Sequence, residues 1–253
     1  MSKYLILDSA IITKSIDCAC VIHGDRYGWE YVENLYNMLQ ANSKHVIKLH
    51  VFTEKSRSVP SYMIKHSLSE WPGIAGPKRS WWYKMQLFNP DNFAGQLLYF
   101  DLDVVIVDSI DWIFGLDNSY FWAVRDFKYL WREGWKKINS SVMYWDTRQF
   151  SHIWQEFQQQ NIDSLVRKFH GDQDYIDTFL TDQNRCFFDT EYVTSWRWQA
   201  VDGGFDTITR THKDPGTGTK LTPNTKILIF HGDPKPDKID DPIVQIHWTR
   251  KRS

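Results

Sequence analysis

The chain has 253 residues, of which 42% are hydrophobic and 24% charged, as expected for a globular protein large enough to bury a core. Its 30 lysines and arginines against 31 aspartates and glutamates give a formal net charge of −1, without the basic excess of a duplex-binding protein. No apolar run is long enough to cross a bilayer, and the one before Asp8 is too short for a signal peptide, so we expect a cytoplasmic protein with no membrane span and no nucleic-acid partner.

Hydrophobic periodicity in the first part of the chain predicts strand, loop, helix and strand in succession, the beginning of a βαβ unit. Cys18, Cys20 and Cys186 make an odd count with no metal-binding spacing, which does not suit a disulfide framework. Because Cys18 and Cys20 stand in an apolar stretch, we expect these two to be buried thiols. The predicted elements are strands at 4–7, 18–22 and 46–52, a helix after the loop 23–28, an irregular connection over 55–80, a short helix at 81–88 and a buried strand at 96–100.

The second part is less regular, and its longest predicted loop is rich in Gly, Thr, Asp and Pro. The predicted elements are strands at 121–124, 141–145 and 225–230, helices within 150–160 and 173–180, and the loop 201–224. We expect an α/β protein in which about 1–107 form a nucleotide-binding half and about 108–253 an acceptor-side half on the same sheet. No internal repeat or low-complexity tract interrupts this single unit.

Asp101-Leu102-Asp103 follows the apolar strand QLLYF and precedes a second apolar run, VVIV. On an extended chain, residues i and i+2 point to the same side, so the two carboxylates are expected to converge. Two like charges at the end of a buried strand are costly unless a cation neutralises them, and carboxylate oxygens suit a hard divalent ion. The alternative is a solvated pair of acids at a strand end.

The loop that begins His231-Gly232 directly follows the predicted strand at 225–230. An imidazole there can complete a metal shell, Gly232 allows close approach of the backbone to a ligand, and Lys235 can neutralise a phosphate. The alternative is an ordinary turn, stiffened by Pro234 and Pro236. Together with the acid pair, the set suits a metal-bound diphosphate.

Two polar clusters and an excess of tryptophan are further candidates. Asn139-Ser140-Ser141 and Gly171-Asp172-Gln173-Asp174 combine small or amide-bearing residues with apolar neighbours, although a turn and a helix N-cap are the simpler interpretations. Aromatic planes can pack against sugar rings, but we expect more than half of the tryptophans near these motifs to belong to the core, Trp145 among them. These tryptophans are Trp81, Trp82, Trp131, Trp135, Trp145, Trp196 and Trp198.

Six segments in this order resemble the motifs of GT-A-type glycosyltransferases, and look closest to glycosyltransferase family 8 and related bacterial and phage sugar transferases. The resemblance extends from about residue 18 to about 236 and rests on HGDRYG, WWYKMQLF, LLYFDLDVVIV, INSSVMYWD, GDQDYI and IFHGDPKP. It implies a GT-A fold, with a Rossmann-like half for the sugar nucleotide continuous with an acceptor half. It also implies an enzyme dependent on Mn²⁺ or Mg²⁺ that moves a sugar from a nucleotide-diphosphate donor, a UDP-sugar in the first instance, to a glycan or other acceptor.

The resemblance also implies roles for individual residues. Asp172 and Gln173 would lie beside the reacting carbon and stabilise an oxocarbenium-like state, in transfer that retains the anomeric configuration by a front-face route or through a short-lived covalent species. The metal ligands would be Asp101, Asp103 and His231. The donor-binding residues would be Tyr27 and Thr53 near the base, Lys84 ahead of the acid pair, Leu102, Asn139 and Ser141 near the donor sugar, and Gly232 and Lys235 at the diphosphate.

The chain departs from the family pattern in the last of these six motifs and in the fourth, INSSVMYWD. In the family the histidine usually precedes the glycine by three residues, whereas His231 immediately precedes Gly232, so that His247 is a rival ligand. Asp237 stands where a tryptophan usually follows the Lys-Pro pair, and Ser141 where a glycine is usual.

Two other functions are compatible with part of this sequence. A phosphatase of the haloacid dehalogenase type also carries a strand followed by D-x-D, with Asp101 as nucleophile and Asp103 as acid/base, and Gly232-Asp233 to Asp237 resembles its acidic motif. That D-x-D normally lies near the N-terminus and is followed by a sharp turn, which disfavours it here. A non-catalytic carbohydrate-binding protein would explain the tryptophans but not the acids beside a His–Lys loop.

Overall fold

The computed structural model describes residues 13–71, 74, 79–201, 205–206, 208–209, 211–212 and 218–249. Its strands form a seven-stranded sheet, a three-stranded sheet and a two-stranded pair. In chain order they are β1 (Ser15–Val21), β2 (Val46–Thr53), β3 (Ile64–Ser67), β4 (Gln96–Phe100), β5 (Val104–Ile106), β6 (Phe121–Arg125), β7 (Ile138–Asp146), β8 (Arg185–Phe187), β9 (Val193–Ser195), β10 (Phe205–Asp206), β11 (Thr211–His212) and β12 (Ile227–Ile229).

The seven-stranded sheet has the order β3-β2-β1-β4-β7-β6-β8. Its first four strands are mutually parallel, β7 is antiparallel to both β4 and β6, and β8 is parallel to β6. Strands from both predicted halves therefore share one sheet, which confirms the α/β class and the continuity between the halves. A parallel sheet buried on both faces explains the near-continuous apolar runs of β1 and β4.

The helices pack against these sheets through apolar stripes. In α1, Tyr31, Val32, Leu35, Met38 and Leu39 are buried, at the helical spacing that predicted this element. The α-helices are α1 (Trp29–Ala41), α2 (His152–Gln159), α3 (Ile162–Lys168), α4 (Asp172–Asp177) and α5 (Pro242–Trp248), and the shorter turns are 3₁₀ helices at Ser80–Phe88, Asp111–Gly115, Phe127–Leu130 and Pro236–Lys238 and a π turn at Trp196–Ala200.

Most predicted elements are confirmed with boundaries shifted by a few residues. The short helix predicted at 81–88 is a 3₁₀ helix that ends before Asn89-Pro90. The interpretation of 55–80 as irregular is wrong in one respect, because β3 lies within it and pairs with β2. The strand predicted at 4–7 and the basic residues 250–252 lie outside the described residues, as does part of the loop 201–224.

The chain changes sheets at the acid pair. β4 belongs to the seven-stranded sheet, whereas β5 pairs with β12 in the three-stranded sheet β5-β12-β9. Residues 101–103 form the turn between them. The prediction that these residues continue an extended strand is therefore wrong. Asp101 and Asp103 line the same cavity from a turn, and not through the alternation of side chains along a strand.

The core contains fewer of the motif-associated tryptophans than expected. Trp145 is fully buried, as predicted, but only a minority of the seven are buried. The buried ones are Trp82, Trp145 and Trp196, while Trp81, Trp131, Trp135 and Trp198 are half-buried. Cys18 and Cys20 are free and fully buried, which confirms the expectation for these thiols, and Cys186 is free and half-buried.

Within the described residues, no helix has both the length and the apolar character needed to cross a bilayer.

Candidate active site

A cavity of about 630 Å³ opens where β1 and β4 end side by side. The carboxyl ends of parallel strands place following residues at one sheet edge, where ligand sites of α/β proteins lie. Its volume is within the usual range for a ligand site. Of the predicted site residues, all but Thr53 line this cavity. The lining ones are Tyr27, Lys84, Asp101, Leu102, Asp103, Asn139, Ser141, Asp172, Gln173, His231, Gly232 and Lys235.

Lys84 occupies the centre of a buried polar network beneath the cavity. It projects from the 3₁₀ helix Ser80–Phe88, and its Nζ lies 2.8 Å from Asp101 Oδ1 and 3.4 Å from Asp172 Oδ2. It also donates to Ser140 Oγ at 3.1 Å, and Ser140 in turn donates to Asp172 at 2.8 Å. One lysine therefore holds two carboxylates that come from different elements.

Electrostatics in this network favour the charged forms of Lys84 and Asp101 despite burial, but not that of Asp172. Burial opposes the charge on Lys84, but Asp101 and Asp172 more than offset it and raise the pKa of the lysine. Burial also opposes ionisation of Asp101, yet Lys84 together with hydrogen bonds from Tyr99 and Ser141 lowers its pKa. For Asp172 burial prevails over Lys84 and raises the pKa.

Asp103 has a second lysine as its partner. Lys235 Nζ lies 2.5 Å from Asp103 Oδ2 and also donates to the carbonyl of Phe230. The Tyr27 hydroxyl donates to the same Asp103 oxygen at 2.9 Å. Burial still raises the pKa of Asp103, with Lys235 acting against it and Asp101 adding to it.

His231 lies just after β12 and is held by contacts on several sides. Its Nε2 is 2.7 Å from Ser195 Oγ, and its ring stacks on Phe127 and meets the edge of Trp198. Burial, reinforced by Arg197 and Lys235, lowers the pKa of His231 to about 3. The imidazole is therefore neutral near pH 7 and retains a lone pair, the form that can bind a metal.

The amide of Gln173 has a fixed orientation. Its Oε1 accepts from the Ser140 backbone N–H at 3.2 Å, and its Nε2 donates to Asp126 Oδ2 at 3.3 Å. Asp126 also accepts from Trp135 Nε1 and from the Lys128 N–H, both at 3.0 Å. Sequence reasoning missed Asp126, which follows a strand alone and without a neighbouring motif.

A bulge in β7 explains why Asn139, Ser140 and Ser141 all reach the cavity. Ala123 of β6 pairs with Met143, but the next residue, Val124, pairs with Asn139, so residues 140–142 lie opposite no residue of β6. In a regular strand, alternate side chains would face away from the cavity. The resemblance to the transferase motifs implied donor contacts for Asn139 and Ser141 and left Ser140 without a role.

Two predicted positions lie away from the cavity. Thr53 is fully buried, and its hydroxyl donates to Glu54 at 2.7 Å, so any influence on the 23–28 loop passes through Glu54, which holds the Gly24 N–H. His247 is on α5, where it helps to lower the pKa of Asp108 outside the cavity lining.

The donor set suits a divalent cation in its chemistry, although it is not assembled around one. Asp101, Asp103 and the neutral His231 line the same cavity, and carboxylate oxygens are the protein ligands that suit Mn²⁺ and Mg²⁺, with the imidazole nitrogen as a further donor. Among the described residues, no three His, Cys, Asp or Glu side chains lie close enough together to hold a metal ion. Lysines contact both aspartates instead.

The charges lining the cavity balance without a ligand. Its acids are Asp101, Asp103, Asp172 and Asp174, and its cations are Arg26, Lys84, Lys128 and Lys235. A bound diphosphate would leave this cavity negative, which a divalent cation would offset.

Comparison with known proteins places the fold among glycosyltransferases. No protein-family model matches the sequence, and no curated protein matches it. The structure of an active-site mutant of LgtC aligns over 89% of this chain and 90% of its own, with a TM-score of 0.59 and 14% identity. Apo GlyE of Streptococcus pneumoniae TIGR4 aligns over 93% of this chain and 59% of its own, with a TM-score of 0.64 and 15% identity.

Two further similar structures extend this comparison. The galactosyltransferase LgtC in complex with donor and acceptor sugar analogues aligns with a TM-score of 0.59 and 15% identity. The apo structure of the bifunctional glycosyltransferase WbbM aligns at 12% identity. The alignment covers 96% of this chain and 53% of the WbbM chain. At these identities the likeness establishes a shared GT-A-like α/β fold.

Proposed function

We propose that this protein is a glycosyltransferase that moves a sugar from a nucleotide-diphosphate donor, a UDP-sugar, to a glycan acceptor with retention of configuration. The observation that carries the proposal is the cavity at the β4–β5 switch, where Asp101 and Asp103 lie with Lys84, Lys235 and Asp172. Acids and lysines at this edge of an α/β sheet suit a metal-bound diphosphate beside a sugar.

In this proposal Asp101, Asp103 and His231 would hold Mn²⁺ or Mg²⁺. When bound, the cation would offset the negative charge that builds up on the departing diphosphate. His231 can be a metal ligand only in the tautomer whose Nε2–H donates to Ser195 Oγ, because Nδ1 then keeps its lone pair. Metal-binding imidazoles commonly donate their other ring N–H in this way. Lys235, which forms an ion pair with Asp103 in this structure, would instead contact a phosphate oxygen of the bound donor.

The remaining residues orient the donor and the reacting centre. Tyr27 would border the donor at its base end, and Asn139 and Ser141, which line the cavity with Asp172 and Gln173, would contact the donor sugar. Asp172, when ionised beside Lys84, would stabilise positive charge at the anomeric carbon. Gln173, with both amide ends held, would present a fixed dipole to the same carbon.

Neither alternative function gains support from the site. A phosphatase nucleophile needs an accessible carboxylate, but Asp101 is bonded to Lys84 at 2.8 Å and to Tyr99 at 2.6 Å. A lectin has no need for a buried lysine that joins Asp101 and Asp172.

Thermal unfolding with UDP, GDP, CDP and ADP, each with Mn²⁺ or with EDTA, tests the proposal. A nucleotide at about 100 times its Kd should add about 2.7 kcal/mol of stability. We expect this with UDP and Mn²⁺, its loss in Asp103→Asn, and slow hydrolysis of a UDP-sugar by the wild type alone. Stabilisation by Mg²⁺ with a phosphate mimic, and by no nucleotide, would instead identify a phosphatase.

A further inference from the structure

A band of cations and tryptophans borders the cavity on the side of His231 and Gln173. We call it the basic–aromatic rim. It consists of Lys128, Trp131, Arg132, Trp135, Arg197 and Trp198, contributed by the segment after β6 and by the π turn after β9.

The rim adjoins the cavity at two of its residues, Lys128 and Trp198. Lys128 lines the cavity itself. The ring of Trp198 lies 4.0 Å from that of His231, and the ring of Trp131 lies 4.6 Å from that of Trp198. A ligand in the cavity that extends past His231 would therefore meet these tryptophans.

Asp126 links the rim to the proposed reacting centre. It joins Trp135 Nε1 on one carboxylate oxygen to Gln173 Nε2 on the other. Arg197 borders the cavity at Gly232, since its Nη1 lies 3.4 Å from where a Cβ on that glycine would be. The rim thus adjoins Gln173, beside the proposed reacting centre.

Among the described residues, no carboxylate forms an ion pair with Lys128, Arg132 or Arg197. By contrast, the neighbouring Lys136 and Lys137 pair with Asp182 and Asp174, at 2.5 and 3.6 Å. Although the charges that line the cavity balance in number, cations without an ion-pair partner at its mouth favour a ligand of opposite sign.

Aromatic contacts hold two of these cations in place. Lys128 Nζ lies 5.2 Å and Arg132 Cζ 4.5 Å from the centre of the Trp135 ring. Cation–π contacts restrain long side chains without neutralising them, so the charges remain available to a ligand. Of the acids in this segment, Glu133 is exposed to solvent and Asp126 accepts from the Lys128 backbone N–H, and neither forms an ion pair with these two cations.

We propose, on the basis of the transferase function above, that the basic–aromatic rim binds the acceptor and that this acceptor is an anionic saccharide. The tryptophans would pack against its sugar rings, while Lys128, Arg132 and Arg197 would bind a phosphate or carboxylate group that it carries. Lys235 and the acid pair, which line the cavity itself, are better placed for the donor diphosphate than Trp131, Arg132 and Trp135, which are outside its lining.

Saccharide binding to the protein saturated with UDP and Mn²⁺ tests this inference, with ligand-observed NMR as the readout. The probes are glucose, glucose 6-phosphate and glucuronate, which differ in charge at one end of the same ring. We expect both charged probes to bind about ten-fold more tightly than glucose, with a difference that shrinks as salt is raised. The ratio of phosphate to carboxylate affinity then distinguishes the two anionic groups.

Arg132→Gln should remove most of this preference and leave UDP affinity unchanged, while Arg132→Lys should retain it. Lys136→Gln, at a paired lysine outside the rim, is the matched control and should behave as the wild type. Equal affinity for all three probes, or no binding of the charged ones up to about 20 mM, would overturn the inference. Loss of UDP affinity in Arg132→Gln would assign the cations to the donor instead. Failure of the wild type to bind UDP would count against the transferase function itself.

Discussion

Lys84 illustrates how one side chain sets the charge state of a site. It is buried and shared by the half-buried Asp101 and the buried Asp172, so its removal leaves both carboxylates without this cation. We expect Lys84→Met to lower the free energy of unfolding by about 3 kcal/mol at pH 7. The pKa values of both aspartates would rise, so ionisation would cost stability as pH increases, and the loss should be smaller at pH 5.

Urea unfolding at the two pH values measures this effect. Lys48→Met is a suitable control, because Lys48 is exposed on β2 and its loss should change stability by less than about 0.5 kcal/mol. A loss in Lys84→Met as small as that of the control, or one that grows towards pH 5, would contradict the role assigned to Lys84.

Asp126 provides a second test at the scale of single residues. An asparagine has only one acceptor oxygen, so Asp126→Asn cannot accept from both Gln173 and Trp135. The amide of Gln173 would lose its fixed orientation, and we expect kcat to fall about ten-fold or more while UDP affinity stays constant. Steady-state kinetics and UDP titration measure the two quantities, with Asp117→Asn as an exposed control. An unchanged kcat would show that the orientation of Gln173 does not matter for transfer.

At the scale of elements, a histidine pair joins the first three strands of the large sheet. His50 of β2 lies 3.0 Å from Asp17 of β1 through Nε2 and 2.8 Å from His66 of β3 through Nδ1. Burial, and after it the charge of His50, lowers the pKa of His66 to about 4. Burial also lowers the pKa of His50, and Lys48 lowers it further, although Asp17 acts to raise it. Both rings are therefore neutral near pH 7, and one shared proton can satisfy their contact.

This pair makes the edge of the sheet sensitive to acid. When the pKa of a histidine is lower in the folded than in the unfolded chain, the folded state loses no stability above the unfolded pKa of about 6.5. Below that pH the unfolded chain binds a proton that the folded chain does not, so the free energy of unfolding falls as pH falls towards 4. Because His66 is partly exposed, we expect it to account for about 1 kcal/mol of the stability lost between pH 7 and pH 5. Unfolding of His66→Gln should show a correspondingly shallower pH dependence, and His152→Gln, at an exposed histidine, should not. Parallel profiles for His66→Gln and the wild type would disprove this.

Periodicity predicted the elements that pack in regular ways and failed where pairing is irregular. β4 was predicted within its observed bounds because both faces are buried, and its apolar run ends abruptly at Asp101. The change of sheet at residues 101–103 could not be predicted, because the partner of β5 is β12, more than 100 residues along the chain. Local sequence patterns do not encode such distant pairings.

At the scale of the whole molecule, the candidate site was largely predictable because its residues follow strand ends. Asp101 and His231 each follow an apolar strand, a position that a sequence pattern shows directly. Asp126 and Arg197 also lie just after strands, but no neighbouring motif marks them, and the packing of separate segments joins them to the site. The roles of the site residues, and the metal, stay predictions that nucleotide binding and kinetics can test.

The bulge in β7 also has a consequence for how such a protein can diversify. Residues 140–142 lie opposite no residue of β6, whereas Ile138 and Asn139 before them and Met143 and Tyr144 after them are in register. On the other side of β7, however, Val142 pairs with Phe100 of β4 and the Ser141 carbonyl accepts from the Asp101 N–H, so this segment is held by one neighbouring strand instead of two. A substitution of the Ser141 side chain, which lines the cavity, would therefore change the shape of the cavity and leave the β6 ladder intact, so that related proteins can differ at this point on the same scaffold.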